Sequence, residues 1–343
     1  MFLLRDIAPE DLPGLLSVAA HLNTVNLPND EGVLRELVAL SRASFAGQLD
    51  VFRRQYLFAL FDGEGPDAKL IGTSMIHAQH GTRRAPHIFF DVLTDERYSE
   101  TLDRHVIHKV LRIGYNYSGP TEIGGLVLMP EYRRNEAGLG RWLSYVRFLY
   151  MALHRSSFRD EVLSELLPPL EPDGTSLLWE ALGRHFTGMS YQEADRISQN
   201  NKEFIRALFP SEPLYASLLP PAVQALIGQV GPATRGVEKM LRRIGFDYVD
   251  RIDPFDGGPH FTARTDEITL VKGTRRARVR PLEALPAAGA QVSGLLCSER
   301  DRAPHVRAVG ARFVLEGGEV WLGAEARTAL AVAEGDEVGL VAF

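Results

Sequence analysis

The sequence has 343 residues, of which 45% are hydrophobic and 24% charged, and this ordinary globular composition excludes an intrinsically disordered chain. Its formal net charge of −6 disfavours nucleic acid as the main partner, because such binding depends on cations that neutralise phosphates. The single cysteine, Cys297, excludes an internal disulfide framework and a cysteine zinc site, and it predicts an inert thiol in a cytoplasmic protein.

The first part of the chain alternates predicted strands and helices. A strand at residues 2–5 is too short an apolar run for a secretory signal, and no later stretch is long enough to span a membrane. An acidic helix start at residues 8–13 is followed by an apolar-periodic helix through Leu15, Leu16, Val18 and Ala19, and a second helix covers roughly 31–45. Residues 55–61 and 69–76 then form a predicted hairpin around a glycine-rich turn.

The most informative segment follows, at residues 122–144. An apolar strand runs into a turn at Pro130, a basic loop with two glycines and an amphipathic helix. Glycines let a loop backbone close on a phosphate, and the amides of the following helix face it. The residues predicted to bind this anion are Arg133, Arg134, Gly138, Leu139, Gly140 and Arg141.

The glycine loop fits neither of two common nucleotide-binding motifs. It lacks the Lys-Ser/Thr of an ATP or GTP phosphate loop, and its spacing is not that of a dinucleotide fingerprint. The order strand, Pro-x-Tyr-Arg and Gly-x-Gly resembles the acyl-CoA loop of the GNAT acetyltransferase superfamily, and the preceding hairpin favours the same interpretation. An ordinary strand-to-helix turn remains the alternative.

The second part of the chain begins with a predicted strand at 161–165, followed by helical segments at 176–186 and 236–244. From residue 268 the pattern changes to short strands broken by Gly and Pro. We therefore predict an α/β fold with a GNAT-type mixed sheet flanked by helices in residues 1–267. A small β-rich C-terminal domain is expected in residues 268–343.

Several segments together resemble the arginine N-succinyltransferase family. They are spread over nearly the whole chain and comprise residues 26–31, 179–186, 204–210, 223–230, 254–259 (Pro-Phe-Asp-Gly-Gly-Pro) and 335–341. The resemblance implies transfer of succinyl from succinyl-CoA to the α-amine of L-arginine, in arginine catabolism. It also implies succinyl-CoA as cosubstrate bound at Leu126, no permanently bound cofactor, and a homo- or hetero-oligomer with a homologous subunit.

The chain departs from the family pattern at two places. Gly231 stands where the family has its proposed proton-donor histidine, and Glu165 is followed by Leu166, Leu167 and Pro168 where the family has Met-Arg-Gly. The glycine loop is also about two residues longer than the family's usual version. Two alternatives therefore stay open: a divergent acyltransferase that uses another acyl-CoA or amine, and a weakly active or non-catalytic subunit.

Direct acyl transfer requires no protein nucleophile, so candidate roles fall on backbone amides and acid–base groups. Amides of a splayed strand at Leu126, Val127 and Leu128 are predicted to hold the thioester oxygen. Glu165 is the predicted base, or else a solvated charge at a strand end. His185 is a candidate replacement proton donor, or a packed helix histidine. Asp256 is predicted to pair with a cationic substrate, or to shape its own turn.

Histidines also raise the question of a metal site. His77, His80 and His87 lie close in sequence, and His105 and His108 are spaced like one helical turn. No carboxylate or cysteine stands at a convincing ligand interval from them. We therefore predict that no metal is bound.

Overall fold

The structure is a computed structural model that describes residues 1–21, 27–65, 67–83, 85–198, 201–284 and 290–343. Asn26, which begins one of the segments carrying the family resemblance, lies outside these ranges. The chain divides into two compact units. The first unit comprises Met1–Gln79, Thr121–Asp160 and Arg264–Phe343, and the second unit comprises His80–Pro120 and Glu161–Ala263.

Strands and helices alternate along the chain. The strands are β1 (Phe2–Asp6), β2 (Gln55–Asp62), β3 (Lys69–His77), β4 (His87–Ser99), β5 (Arg104–Asn116), β6 (Thr121–Leu128), β7 (Glu161–Glu165), β8 (Leu214–Tyr215), β9 (Asp247–Ile252), β10 (Pro259–Arg264), β11 (Arg275–Pro281), β12 (Val292–Glu299), β13 (Val306–Glu316), β14 (Glu319–Leu322) and β15 (Glu337–Ala342). The helices are α1 (Leu12–Ala19), α2 (Glu31–Phe45), α3 (Leu139–Leu153), α4 (Arg184–Thr187), α5 (Tyr191–Ser198), α6 (Glu203–Leu208), α7 (Pro221–Leu226), α8 (Arg235–Arg243), α9 (Thr269–Gly273) and α10 (Ala324–Leu330). A π-helical turn, Trp179–Gly183, leads into α4.

The elements predicted before the glycine loop lie where the sequence places them, and local chemistry explains their bounds. The side chain of Asp30 accepts a hydrogen bond from the amide of Val33 at 3.0 Å, which caps α2. Buried Leu34, Val38 and Ser41 follow at helical spacing, so one face of α2 belongs to the core. Helices α1 and α2 cover a core built with side chains of β2, β3 and β6.

The first unit contains a mixed sheet in the order β12-β15-β11-β14-β13-β1-β2-β3-β6. β12 also pairs with β13, so the five C-terminal strands close on themselves around a core that includes Val279, Leu296 and Phe313. β13 continues the sheet through its antiparallel pairing with β1. The β-rich texture predicted for the C-terminal region is confirmed, whereas a domain boundary at residue 268 stays a prediction.

The single cysteine lies in this C-terminal part of the sheet. Cys297 is a free thiol on β12 and is 1% exposed. Burial raises the pKa of this thiol, which favours its protonated form. The thiol is thus buried, and its inertness stays a prediction.

The second unit contains an antiparallel sheet in the order β7-β10-β9-β4-β5-β8. Its core includes Trp179, whose ring stacks on that of Phe255 at a centroid distance of 5.0 Å. The long β4–β5 hairpin is absent from the sequence prediction, which spaces His105 and His108 as on a helix. The helix implied by that spacing is wrong, because both residues lie on β5, where side chains three positions apart point to opposite faces of the sheet. No helix among the described residues has the length and apolar character needed to cross a membrane.

Candidate active site

A bulge interrupts β6 at the position predicted to hold the thioester oxygen. Thr73 lies opposite Val127 and Met75 opposite Gly124, so two residues of β6 face one residue of β3. Gly125 adopts a φ of 55°, and a Cβ there would lie 2.6 Å from the sulfur of Met75. The bulge leaves Leu126 outside the regular ladder. Val127 and Leu128 remain paired with Thr73 and Gly72, so a splayed strand that holds the thioester oxygen stays a prediction.

The glycine loop turns into α3 at Gly138, which has left-handed dihedrals of φ 71° and ψ 40°. Its amide donates to the carbonyl of Asn135 at 3.0 Å, and the Asn135 side chain accepts from the amide of Ala137 at 2.9 Å. Leu139 and Gly140 then open the helix, where first-turn amides lack acceptors within the helix. The side chain of Leu139 is buried, so its backbone alone is suited to contact an anion.

Three exposed arginines surround this loop. Arg133 donates from Nε to the carbonyl of Leu128 at 2.9 Å, which fixes its side chain at the end of β6. A Cβ on Gly138 would lie 2.9 Å from Nη2 of Arg141, so the Arg141 side chain folds back over the glycine. Together with Arg134 these side chains give the helix start a positive surface, which suits a phosphate. Acyl-CoA binding at these residues stays a prediction.

The second unit brings Glu165 together with two buried histidines. Glu165 ends β7, and its Oε1 lies 3.3 Å from Nε2 of His87 and 3.4 Å from Nε2 of His260. The two imidazole rings stack at a centroid distance of 5.3 Å. The amide of Leu166 donates to the carbonyl of Pro259 at 3.1 Å, which holds the end of β7 beside β10. Glu165 is thus part of a polar cluster rather than an isolated surface charge.

His260 is fully buried, and burial lowers its pKa to about 4 against the opposing effect of the negative charge of Glu165. The ring is consequently neutral at pH 7, with one nitrogen that can accept a hydrogen bond. Its lowered pKa makes it a weak base, so Glu165 is the better candidate for deprotonating an amine.

Two further carboxylates lie in the turn between β9 and β10. Oδ1 of Asp253 accepts hydrogen bonds from the amides of Phe255 at 2.7 Å and Asp256 at 3.3 Å. Oδ1 of Asp256 accepts from the amide of Gly258 at 2.7 Å, so Asp256 does shape its own turn, as one sequence alternative has it. Burial and the neighbouring carboxylates raise the pKa of Asp253 to about 7 and that of Asp256 well above its usual value.

Two further positions that the sequence singles out are His185 and Gly231. His185 is exposed on α4. Gly231 donates its amide to the carbonyl of Leu167 at 2.8 Å, and a Cβ there would lie only 2.5 Å from the carbonyl oxygen of Pro168. The backbone therefore has no room for a histidine at residue 231.

Sequence reasoning missed His87, His260 and Asp253 as site residues. His260 directly follows the Pro-Phe-Asp-Gly-Gly-Pro segment and Asp253 directly precedes it. This distinctive segment is the sequence signal that could have pointed to both residues. Ligand atoms of His80, His87 and Glu165 lie within 4.8 Å of one another, as do those of Glu165, Asp253 and His260. Folding thus places carboxylates next to these histidines, although none stands at a ligand interval from them in the sequence. The absence of a metal stays a prediction.

Comparison with known proteins gives matches over most of the chain. The family described as "Arginine N-succinyltransferase beta subunit" matches residues 2–270. The arginine N-succinyltransferase of Yersinia pestis (strain Pestoides F) is 31% identical over 348 residues, covering 100% of this chain and 98% of the relative. The arginine N-succinyltransferase subunit beta of Pseudomonas aeruginosa is 33% identical and covers 78% of each chain. A solved structure, arginine/ornithine succinyltransferase subunit AI from Pseudomonas aeruginosa, is 30% identical with a TM-score of 0.84, covering 100% of this chain and 98% of the other.

Proposed function

The chain belongs to the arginine N-succinyltransferase family, and from this premise we propose that it transfers the succinyl group of succinyl-CoA to the α-amine of L-arginine. The observation that carries the proposal is whole-length likeness, in sequence and in fold, to proteins with that name. We place the reaction in the cytoplasm, since the one cysteine is a free thiol.

In this proposal the first unit binds the acyl donor through a GNAT-type loop. The amides at the start of α3 and the side chains of Arg133, Arg134 and Arg141 bind the phosphates of coenzyme A. Backbone amides at Leu126, Val127 and Leu128, next to the bulge, bind the thioester oxygen as negative charge develops on it. The left-handed Gly138 and the bulge at Gly125 support this assignment, because both give the backbone the shape that such contacts need.

Glu165 supplies the acid–base group for the amine. Glu165 accepts a proton from the α-ammonium group, so that the neutral nitrogen attacks the thioester carbon. A C–N bond forms, the C–S bond breaks, and the coenzyme A thiolate takes a proton. His87 and the neutral His260 flank Glu165, with Nε2 atoms 3.3 and 3.4 Å from its Oε1. His185, the proton donor suggested by the sequence, stays a candidate for protonating this thiolate.

The direct test is release of free coenzyme A thiol from succinyl-CoA in the presence of L-arginine. We expect arginine-dependent release well above the hydrolysis blank, with succinyl-CoA preferred to acetyl-CoA. Ornithine and lysine serve as alternative amines. Release equal to the blank with all three amines would refute the proposed reaction, and a preference for acetyl-CoA would refute the proposed donor.

The proposal includes assembly of this chain with a second copy of itself. Relatives bear the names subunit beta and subunit AI. The outer part of the β4–β5 hairpin exposes Tyr98, Leu102 and Ile107 at 60%, 71% and 60%. A two-stranded ribbon is marginally stable alone in water, and exposed apolar groups of this size favour a protein contact. The hairpin also carries acids on β4 and bases on β5, a pattern that a second copy can complement.

Light scattering after size-exclusion chromatography tests this contact. We expect a mass of at least two chains for the unmodified protein, and a single-chain mass for Ile107→Glu, because the added charge would be buried without a partner. Val33→Glu, which changes an exposed valine on α2, is the matched control and should keep the larger mass. A single-chain mass for the unmodified protein at micromolar concentration would contradict assembly.

A further inference from the structure

The second unit contains three carboxylates that are buried or partly buried. Asp253 and Asp256 lie in the turn between β9 and β10, and Asp195 lies on α5. Asp256 is only 8% exposed. Burial raises the pKa of Tyr191, and the negative charges of Asp256, Asp195 and Asp253 raise it further, so all three carboxylates act electrostatically on this one side chain. We call these three residues the acidic cluster.

Burying several like charges together is unfavourable unless a cation compensates them. Lys202 is the one cation whose charge opposes the raised pKa values of Asp195 and Asp253 within the part of the chain that the structure describes. Burial still raises the pKa of Asp195 to about 6, and burial with the charge of Glu165 raises that of Asp253 to about 7. The cluster is therefore suited to receive positive charge.

His260 is an independent sign that a ligand belongs here. It is 0% exposed, and neither of its ring nitrogens makes a hydrogen bond to any described residue. One of them is directed at Glu165 from 3.4 Å, and ligand atoms of Glu165, Asp253 and His260 lie within 4.8 Å of one another. A buried polar ring without a hydrogen bond is costly, and a bound molecule with N–H donors would satisfy it.

The turn geometry leaves acceptor atoms for such donors. Among the described residues, the hydrogen bonds to Asp253 and Asp256 fall on Oδ1 of each side chain. Oδ2 of each is thus the oxygen that remains for a ligand. A guanidinium group carries five N–H donors in a planar fork and is always charged, so it matches a pair of carboxylate oxygens in both shape and charge.

We propose that the acidic cluster is the specificity site of the transferase and binds the guanidinium group of the amine substrate. The inference rests on the proposed function and deepens it, since it assigns the recognition of the cationic side chain to Asp253, Asp256 and Asp195. The α-amine then lies on the side of Glu165 and His260. A substrate with a neutral side chain leaves the cluster uncompensated and is bound weakly.

The test compares L-arginine with L-citrulline, its neutral urea analogue, in the Asp253→Asn variant. Asparagine keeps an oxygen for the amides of Phe255 and Asp256, so the turn should survive. We expect the KM for arginine to rise about 10- to 100-fold, as for a lost hydrogen bond between charged groups, with kcat nearly unchanged. The kcat/KM for citrulline should change by less than about threefold, and discrimination between the two amines should fall accordingly.

Asp247→Asn is the matched control, since Asp247 is an exposed carboxylate on β9 and its loss should leave both amines unaffected. Asp256→Asn is a second variant, with melting temperature as the check on folding. Equal losses for arginine and citrulline would overturn the proposal, as would an unchanged KM for arginine. Tight binding of Zn²⁺ to the unmodified protein by calorimetry, abolished by Asp253→Asn, would assign the cluster to a metal and would also overturn it.

Direct calorimetry separates this inference from the proposed reaction. Arginine should bind the protein without an acyl donor, and Asp253→Asn should weaken that binding while leaving succinyl-CoA binding unchanged. If arginine is turned over normally by Asp253→Asn, the reaction stands and the cluster assignment fails. If succinyl-CoA binds but no amine is succinylated, the proposed reaction is refuted. The role of the acidic cluster is then still decided by comparing arginine binding to the unmodified protein and to Asp253→Asn.

Discussion

A Glu165→Gln variant should lose about 100- to 10,000-fold in kcat, the range associated with loss of a positioned general base. Glutamine keeps the size of the side chain and an oxygen near His87 and His260, whose Nε2 atoms lie 3.3 and 3.4 Å from Glu165. It cannot take a proton from the substrate ammonium. The loss should therefore appear in kcat, while the affinity for succinyl-CoA stays the same.

The matched control is Glu161→Gln at the exposed start of the same strand, which should retain full activity. Rate measurements across pH add a readout that a structural role would not give. The rate of the unmodified enzyme should decrease as falling pH protonates Glu165. The variant should not show this decrease at low pH. Activity of Glu165→Gln within threefold of the unmodified enzyme would remove Glu165 from the acid–base role.

A Gly138→Glu variant should bind succinyl-CoA at least about 30- to 100-fold more weakly, equivalent to roughly 2–3 kcal/mol. Its new Cβ would lie 2.9 Å from Nη2 of Arg141 and would displace that guanidinium. The added carboxylate would also place negative charge at the start of α3, where a phosphate is expected. Calorimetry with succinyl-CoA measures the change directly.

Gly47→Glu is a control for the backbone strain of that substitution. Gly47 has a φ of 69°, close to the 71° of Gly138, and a Cβ there would meet nothing within 4 Å. Both variants should therefore lose about 1–2 kcal/mol of unfolding free energy from the left-handed conformation. Only Gly138→Glu should lose coenzyme affinity. Equal affinities for the two variants would refute the assignment of the glycine loop.

Sequence reasoning places the elements whose signals are local. The apolar period in residues 31–45 predicts α2, and Gly245 predicts the end of α8, where it adopts a φ of 104°. The glycine loop carries its own signal, because Gly138 and Gly140 stand between a strand and a helix. Each of these features depends on residues within a few positions of one another.

The acid–base cluster is not predictable in this way, because tertiary packing brings its members together. His87, Glu165 and His260 lie on β4, β7 and β10, and no spacing in the sequence shows that these strands share one sheet. The β4–β5 hairpin is missed for a related reason. Its outer half is exposed on both faces, so it lacks the alternation of buried and exposed positions by which a strand is recognised.

Gly231 links two departures from the family pattern that look independent along the chain. Its amide is bonded to the carbonyl of Leu167, and the carbonyl of Pro168 fills the space that a side chain at residue 231 would occupy. Reversion of Gly231 to histidine alone would force the two backbones apart. Any lineage or protein engineer restoring that histidine must also rebuild residues 167 and 168, so the effects of the two reversions will be epistatic.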